Sequence, residues 1–196
     1  MNATAWTPTL LDSTEDQTVD ERSRMHTRLR VTQWAEQHGG AMLRWAMRLL
    51  GDPALAQDAV QDAFVVALRR ADRVLAQSER AWLLEVTRRV CTGHKRRLRV
   101  VQPLSDEMRP QLAAPFGEAD AEDNAIGREQ AAAIECGLAE LPERQREVLY
   151  LVFAEGLTLE QSAAVLGVSA GSARTHYHRG KQAMRLWLQK QGVEDA

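Results

Sequence analysis

Between residues 100 and 124 the chain gives up the helical spacing it keeps on both sides, and this interruption limits what it can fold into. The stretch holds three of the six prolines, and an acidic excess falls there: residues 101–130 carry two Lys and Arg against seven Asp and Glu. Such a segment buries too little apolar surface to pack and reads as a linker. It divides the 196 residues into two small units. Units of that size need tight helix packing or a partner to complete a core. The expected organisation is a polar tail over 1–30, a helical domain over 31–99, the linker over 100–124 and a second helical domain over 125–190.

Both flanks are written in the helical period. Val31, Trp34, Ala35, His38, Met42, Trp45, Ala46 and Leu49 recur at three and four, the mark of an amphipathic helix. Gly39-Gly40 weakens it by ~1 kcal/mol per glycine relative to alanine, so close packing or a bend is expected there. Gly51-Asp52-Pro53 then supplies a C-terminal cap, an N-cap and a first-turn proline. The next helix places Ala56, Ala59, Val60, Ala63, Phe64, Ala67 and Leu68 on one face and ends near Arg70. After a polar break at Asp72–Gln77, a third helix capped by Ser78 runs to about Arg97 with Ala81, Trp82, Val86 and Val90 inward. Beyond the linker, helices are expected over Ala125–Leu141, Pro142–Ala154, Thr158–Leu166 and Ser169–Gln189. The first 30 residues are polar and show no sustained period, as a disordered or weakly helical tail would. The fold class is therefore all-α, with two small helical domains joined by a flexible acidic linker.

Net charge is −2, which taken alone argues against a nucleic-acid partner. Its distribution argues the other way. Residues 31–100 carry 12 basic against 7 acidic side chains, and Ser169–Gly192 contains Arg174, Arg179, Lys181, Arg185 and Lys190 with no acid. Two basic surfaces flank an acidic connector, a sorting that solvation does not require.

The run from Thr158 to Thr175 has the parts of a helix-turn-helix. Ala163 is small enough for two helices to cross, Gly167 supplies the turn, and Leu159, Leu166, Val168 and Ala173 anchor the crossing. The second helix then offers Ser172, Arg174, Thr175, His176, His178, Arg179 and Lys181 to a major groove. Arginine suits guanine edges, and hydroxyls and a helix N-terminus suit phosphates.

Leu138-Ala-Glu-Leu-Pro-Glu-Arg-Gln-Arg-Glu-Val-Leu, Glu155-Gly-Leu-Thr-Leu-Glu-Gln and Leu166-Gly-Val-Ser-Ala-Gly-Ser-Ala-Arg-Thr together resemble the promoter-reading domain of bacterial sigma factors of the extracytoplasmic-function (ECF) group. Arg48-Leu-Leu-Gly-Asp-Pro, Ala56-Gln-Asp-Ala-Val-Gln-Asp-Ala-Phe and Arg80-Ala-Trp-Leu resemble that group's N-terminal domain. The two blocks occur in the group's order. The resemblance implies a factor that binds core RNA polymerase and promoter DNA, needs no cofactor, catalyses nothing itself and is a monomer when free. Asp58, Gln61, Asp62 and Phe64 would meet the clamp coiled coil of the largest polymerase subunit, and the second domain its flap region. Arg80, Arg88, Arg89, Lys95 and Arg96 would follow the melted minus-10 strand, with the 72–78 loop forming a base pocket. The helix-turn-helix would read the minus-35 duplex, and an anti-sigma factor is an expected partner. Four departures stand out: Leu68 and Arg89 where the group often has Trp and Asn, His176 where Arg or Lys is usual, which implies a weaker contact, and Gly180 where Ala is common, which implies a more flexible recognition helix.

Other classes fit less well. A stand-alone helix-turn-helix regulator acting as a dimer explains the second half but not the basic helix of the first. A metal site is limited to Cys91 with His94 and His176 with His178, and spacing completes no four-ligand set. The longest uninterrupted apolar run, Val148–Ala154, is far short of a bilayer span, and a secretory signal is missing at the start. A cytosolic protein with two reduced thiols is expected, associated with the nucleoid through polymerase or held at the membrane by an anti-sigma factor.

Overall fold

The computed structural model describes residues 12–71, 74, 79–101 and 125–191, all helix and connecting turns. Seven helices are found among them: α1 (Asp12–Leu50), α2 (Pro53–Arg70), α3 (Glu79–Val101), α4 (Ala125–Glu140), α5 (Glu143–Phe153), α6 (Leu159–Leu166) and α7 (Ala170–Lys190). The expected Ser78 cap, the 72–78 loop apart from Val74, and residues 102–124 of the linker lie outside the described residues.

Local chemistry sets the boundaries of these helices. Gly51 takes a left-handed φ of 72° after α1, a conformation that favours glycine. The Asp52 carboxylate accepts from the Leu55 amide at 2.8 Å and Pro53 opens α2, as the sequence predicts. Thr158 and Gln161 form a reciprocal capping box at the start of α6, and Gly167 ends it in the left-handed region. Ser169 caps α7 through the Ser172 amide.

Two expectations are narrowed. Of a disordered and a weakly helical tail, the helical form is the one found from Asp12 onward, where the chain runs without a break into α1. Residues 12–30 hold neither glycine nor proline, and Arg30 at their inner end donates to the carbonyls of Ala71 and Val74 and pairs with Glu79. Gly39 has nothing near the position of an added Cβ, and Gly40 meets only the Arg44 guanidinium. Neither glycine serves a close packing contact, so the buried Trp34, Met42 and Trp45 carry the helix through them.

In the first half, α1, α2 and α3 enclose Val31, Trp34, Met42, Ala63, Ala67, Leu83 and Val86. The alanine face of α2 lets its neighbours approach closely. Trp82 is half-buried and tilts against Trp34 at 5.9 Å. In the second half, Leu138, Leu141 and Leu149 form a smaller cluster under α7. A third cluster belongs to both halves, joining Trp45, Leu49, Leu84 and Cys91 to Tyr150, Leu151, Ala163 and Leu166. The two halves thus close on one another, with α3 packed against α6.

Candidate nucleic-acid interface

On α7, Ala173 and Gly180 face inward while Ser172, Arg174, Thr175, Arg179 and Lys181 are exposed. His178 is exposed with them, so six of the seven expected groove-facing residues share the outer part of one helix, whereas His176 is half-buried at its margin. Ser172 is tied to its cap through Ser169 Oγ at 2.9 Å, and Thr175 donates to the Gly171 carbonyl at 3.0 Å. Arg174 stands 3.9 Å from Glu160, both well exposed, a pairing worth little in water. Tyr177, which no sequence motif singles out, stacks on Phe153 at 6.0 Å, meets His178 edge-on and lies under the Lys181 ammonium.

Gly180 is a packing position. An added Cβ would stand 3.0 Å from Leu149 Cδ1, so close approach of α7 to α5, rather than flexibility, accounts for glycine there.

The basic residues of α3 are not equivalent. Arg80 pairs with Glu155 at 2.5 Å, Arg88 lies 3.6 Å from Glu147, and Arg89 pairs with Glu85 of its own helix at 2.5 Å. Lys95 and Arg96 border a cleft of about 300 Å³ between α3 and α5, together with Leu49, Cys91 and Glu147. Burial pushes Glu147 above the usual carboxylate range, although Arg88 and Arg144 pull it back down. Cys91 is buried, and its thiol is pushed up to about 12, as an inert core residue. His94 meets Asp62 at 3.0 Å. Among the described residues no three His, Cys, Asp or Glu are grouped to hold a metal.

On α2, Asp58, Gln61 and Asp62 are exposed and Phe64 is half-buried against the first-half core. Val65 and Leu68 are exposed apolar residues beside them, so Leu68 does not lie on the inner alanine face where the sequence places it: it falls one position beyond Ala67, turned toward solvent. Asp58, Gln61, Val65 and Leu68 recur at three and four and share one outer face. The same spacing could have marked Val65, but an isolated valine is ordinarily assigned to a core.

Residues 34–100 match the family described as Sigma-70 region 2 and residues 131–184 the family described as Sigma-70, region 4. The chain is 30% identical over 163 residues to the ECF RNA polymerase sigma factor SigL of Mycobacterium tuberculosis, covering 81% of this chain and 88% of SigL. It is 34% identical over 140 residues to the ECF RNA polymerase sigma factor SigF of Caulobacter vibrioides, covering 70% and 73%. Its fold is similar to the sigma factor RpoE of Bartonella quintana, solved in complex with the anti-sigma factor NepR, with a TM-score of 0.61 at 23% identity over 81% of this chain and 96% of that one. CnrH, solved in complex with the cytosolic domain of CnrY, gives 0.56 at 20% identity over 89% and 97%. Both sigma regions, in order on an all-helical fold, lead to one conclusion: the chain belongs to the ECF group of RNA polymerase sigma factors.

Proposed function

We propose that the two halves divide promoter recognition. The outer face of α7 reads the minus-35 duplex through Arg174, Thr175, His178, Arg179 and Lys181, with Ser172 at the phosphates and the half-buried His176 at the margin of the face. The α3 arginines and Lys95 follow the melted minus-10 strand, a task that calls for a basic track along the backbone. The exposed α2 stripe, with Asp58, Gln61 and Asp62, docks on core RNA polymerase. The chain catalyses nothing itself, and an anti-sigma factor holds it inactive. The observation that carries this reading is the outward, acid-free face of α7, whose inner residues Ala173 and Gly180 are buried. Run-off transcription with purified core polymerase on genomic fragments tests it. Promoter-specific transcripts are expected only when both components are present, and equal transcription by core enzyme alone overturns the reading.

A further inference from the structure

One guanidinium ties together three points along the passage from α2 to α3. Arg30 of α1 donates from Nη1 to the Ala71 carbonyl at 2.8 Å and from Nη2 to the Val74 carbonyl at 2.5 Å. Its Nε and Nη2 reach Glu79 Oε1 at 3.3 and 2.8 Å. Ala71 caps the C-terminal end of α2, where helix carbonyls lack partners, and Glu79 stands in the first turn of α3. Val74 lies buried between them, its amide donating to the same Ala71 carbonyl at 3.3 Å. The guanidinium carbon lies over the Trp34 ring, 4.8 Å from its centre, and Trp34 in turn tilts against Trp82 of α3. The core of the three helices is made elsewhere, from Met42, Ala63, Leu83 and Val86 among others. Ordering a long side chain costs rotamer freedom, and what this one secures is the path of the connecting chain. Arg30 also lies ahead of the matched residues 34–100, so the family match does not assign it.

We propose that Arg30 is a positioning residue for minus-10 recognition: without touching DNA, it fixes the junction of α2 and α3 and the first turn of α3 in the geometry in which an unstacked base is selected. Selecting such a base takes a pocket of fixed shape, and a pocket is only as exact as the chain that carries it. Lysine would keep the charge but not the planar fork. Its single nitrogen cannot stand at the Ala71 and Val74 carbonyls and at Glu79 in the same geometry. The inference rests on the reading of the first half as the minus-10 reader.

The test uses the full chain bound to purified core polymerase and a pool of fork-junction DNA, duplex upstream with a single-stranded non-template overhang of randomised sequence. Sequencing the bound fraction gives the preference at each overhang position. The wild type is expected to select bases at particular positions. Arg30→Lys is expected to lose about tenfold in preference at one or two neighbouring positions, to keep it at the others and to bind core polymerase with unchanged affinity. A merely structural loss would instead lower binding evenly across the pool. Glu79→Gln, which removes the carboxylate and leaves both carbonyl contacts, is expected to lower preference at the same positions by less, and it stands in for Arg30→Lys if that variant fails to fold. Unchanged preference in Arg30→Lys or its stand-in, or an even loss at every position, overturns the proposal while wild-type selection leaves the minus-10 reading in place. A wild type that selects no base anywhere in the overhang overturns the minus-10 reading and the proposal with it.

Discussion

Arg174 and Glu147 show how differently two charged residues are placed. Arg174 is exposed and only loosely associated with Glu160, so its guanidinium is available to a base edge. Arg174→Ala is expected to lose ~1–3 kcal/mol of discrimination at one minus-35 position, measured by competition between duplexes altered at single positions, with the fold unchanged. Glu147 is buried beside Arg88, Arg144 and Glu143, and burial raises it. Its folded value lies above the unfolded one, so the native chain binds more protons in the window between them. Stability from this group is therefore present at low pH and is lost as pH rises through the folded value. The thermal midpoint of the wild type is expected to rise relative to Glu147→Gln as pH is lowered from neutral. A constant difference across that range contradicts the assignment.

Helix contacts show which parts of the fold are visible from sequence. The cap at Asp52 and the turn at Gly167 were legible because each is set by residues within one turn of the helix. The closure of the halves was not. Arg80 and Glu155 lie 75 residues apart and Arg48 and Glu135 lie 87 apart, and no local pattern selects those acids from the others. Tyr150 was hidden in an apolar run, where it read as ordinary core. The glycines make a testable contrast. A methyl on Gly137 of α4 would stand 2.8 Å from Trp187 Cε3 of α7, whereas one on Gly39 meets nothing within 4 Å. Gly137→Ala is expected to destabilise by ~1 kcal/mol or more through overpacking, and Gly39→Ala to stabilise by ~0.5–1 kcal/mol through helix propensity. Urea unfolding followed by circular dichroism compares them, and equal shifts contradict the packing of α4 on α7.

For the whole molecule, a net charge of −2 conceals opposed surfaces that meet where the halves close. None of the described helices is long and apolar enough to cross a membrane. The two cysteines divide in the same way as the charges, one hidden and one open: Cys91 is buried on α3 and Cys136 is exposed on α4. A maleimide is therefore expected to modify one thiol per folded chain and two after denaturation, counted by intact mass. Two rapid modifications of the native protein contradict the burial of Cys91. Because Cys136 neighbours Glu135, the partner of Arg48, a dye attached there stands at the seam, and the unaltered polypeptide already carries its own reporter position for watching that seam come apart in real time.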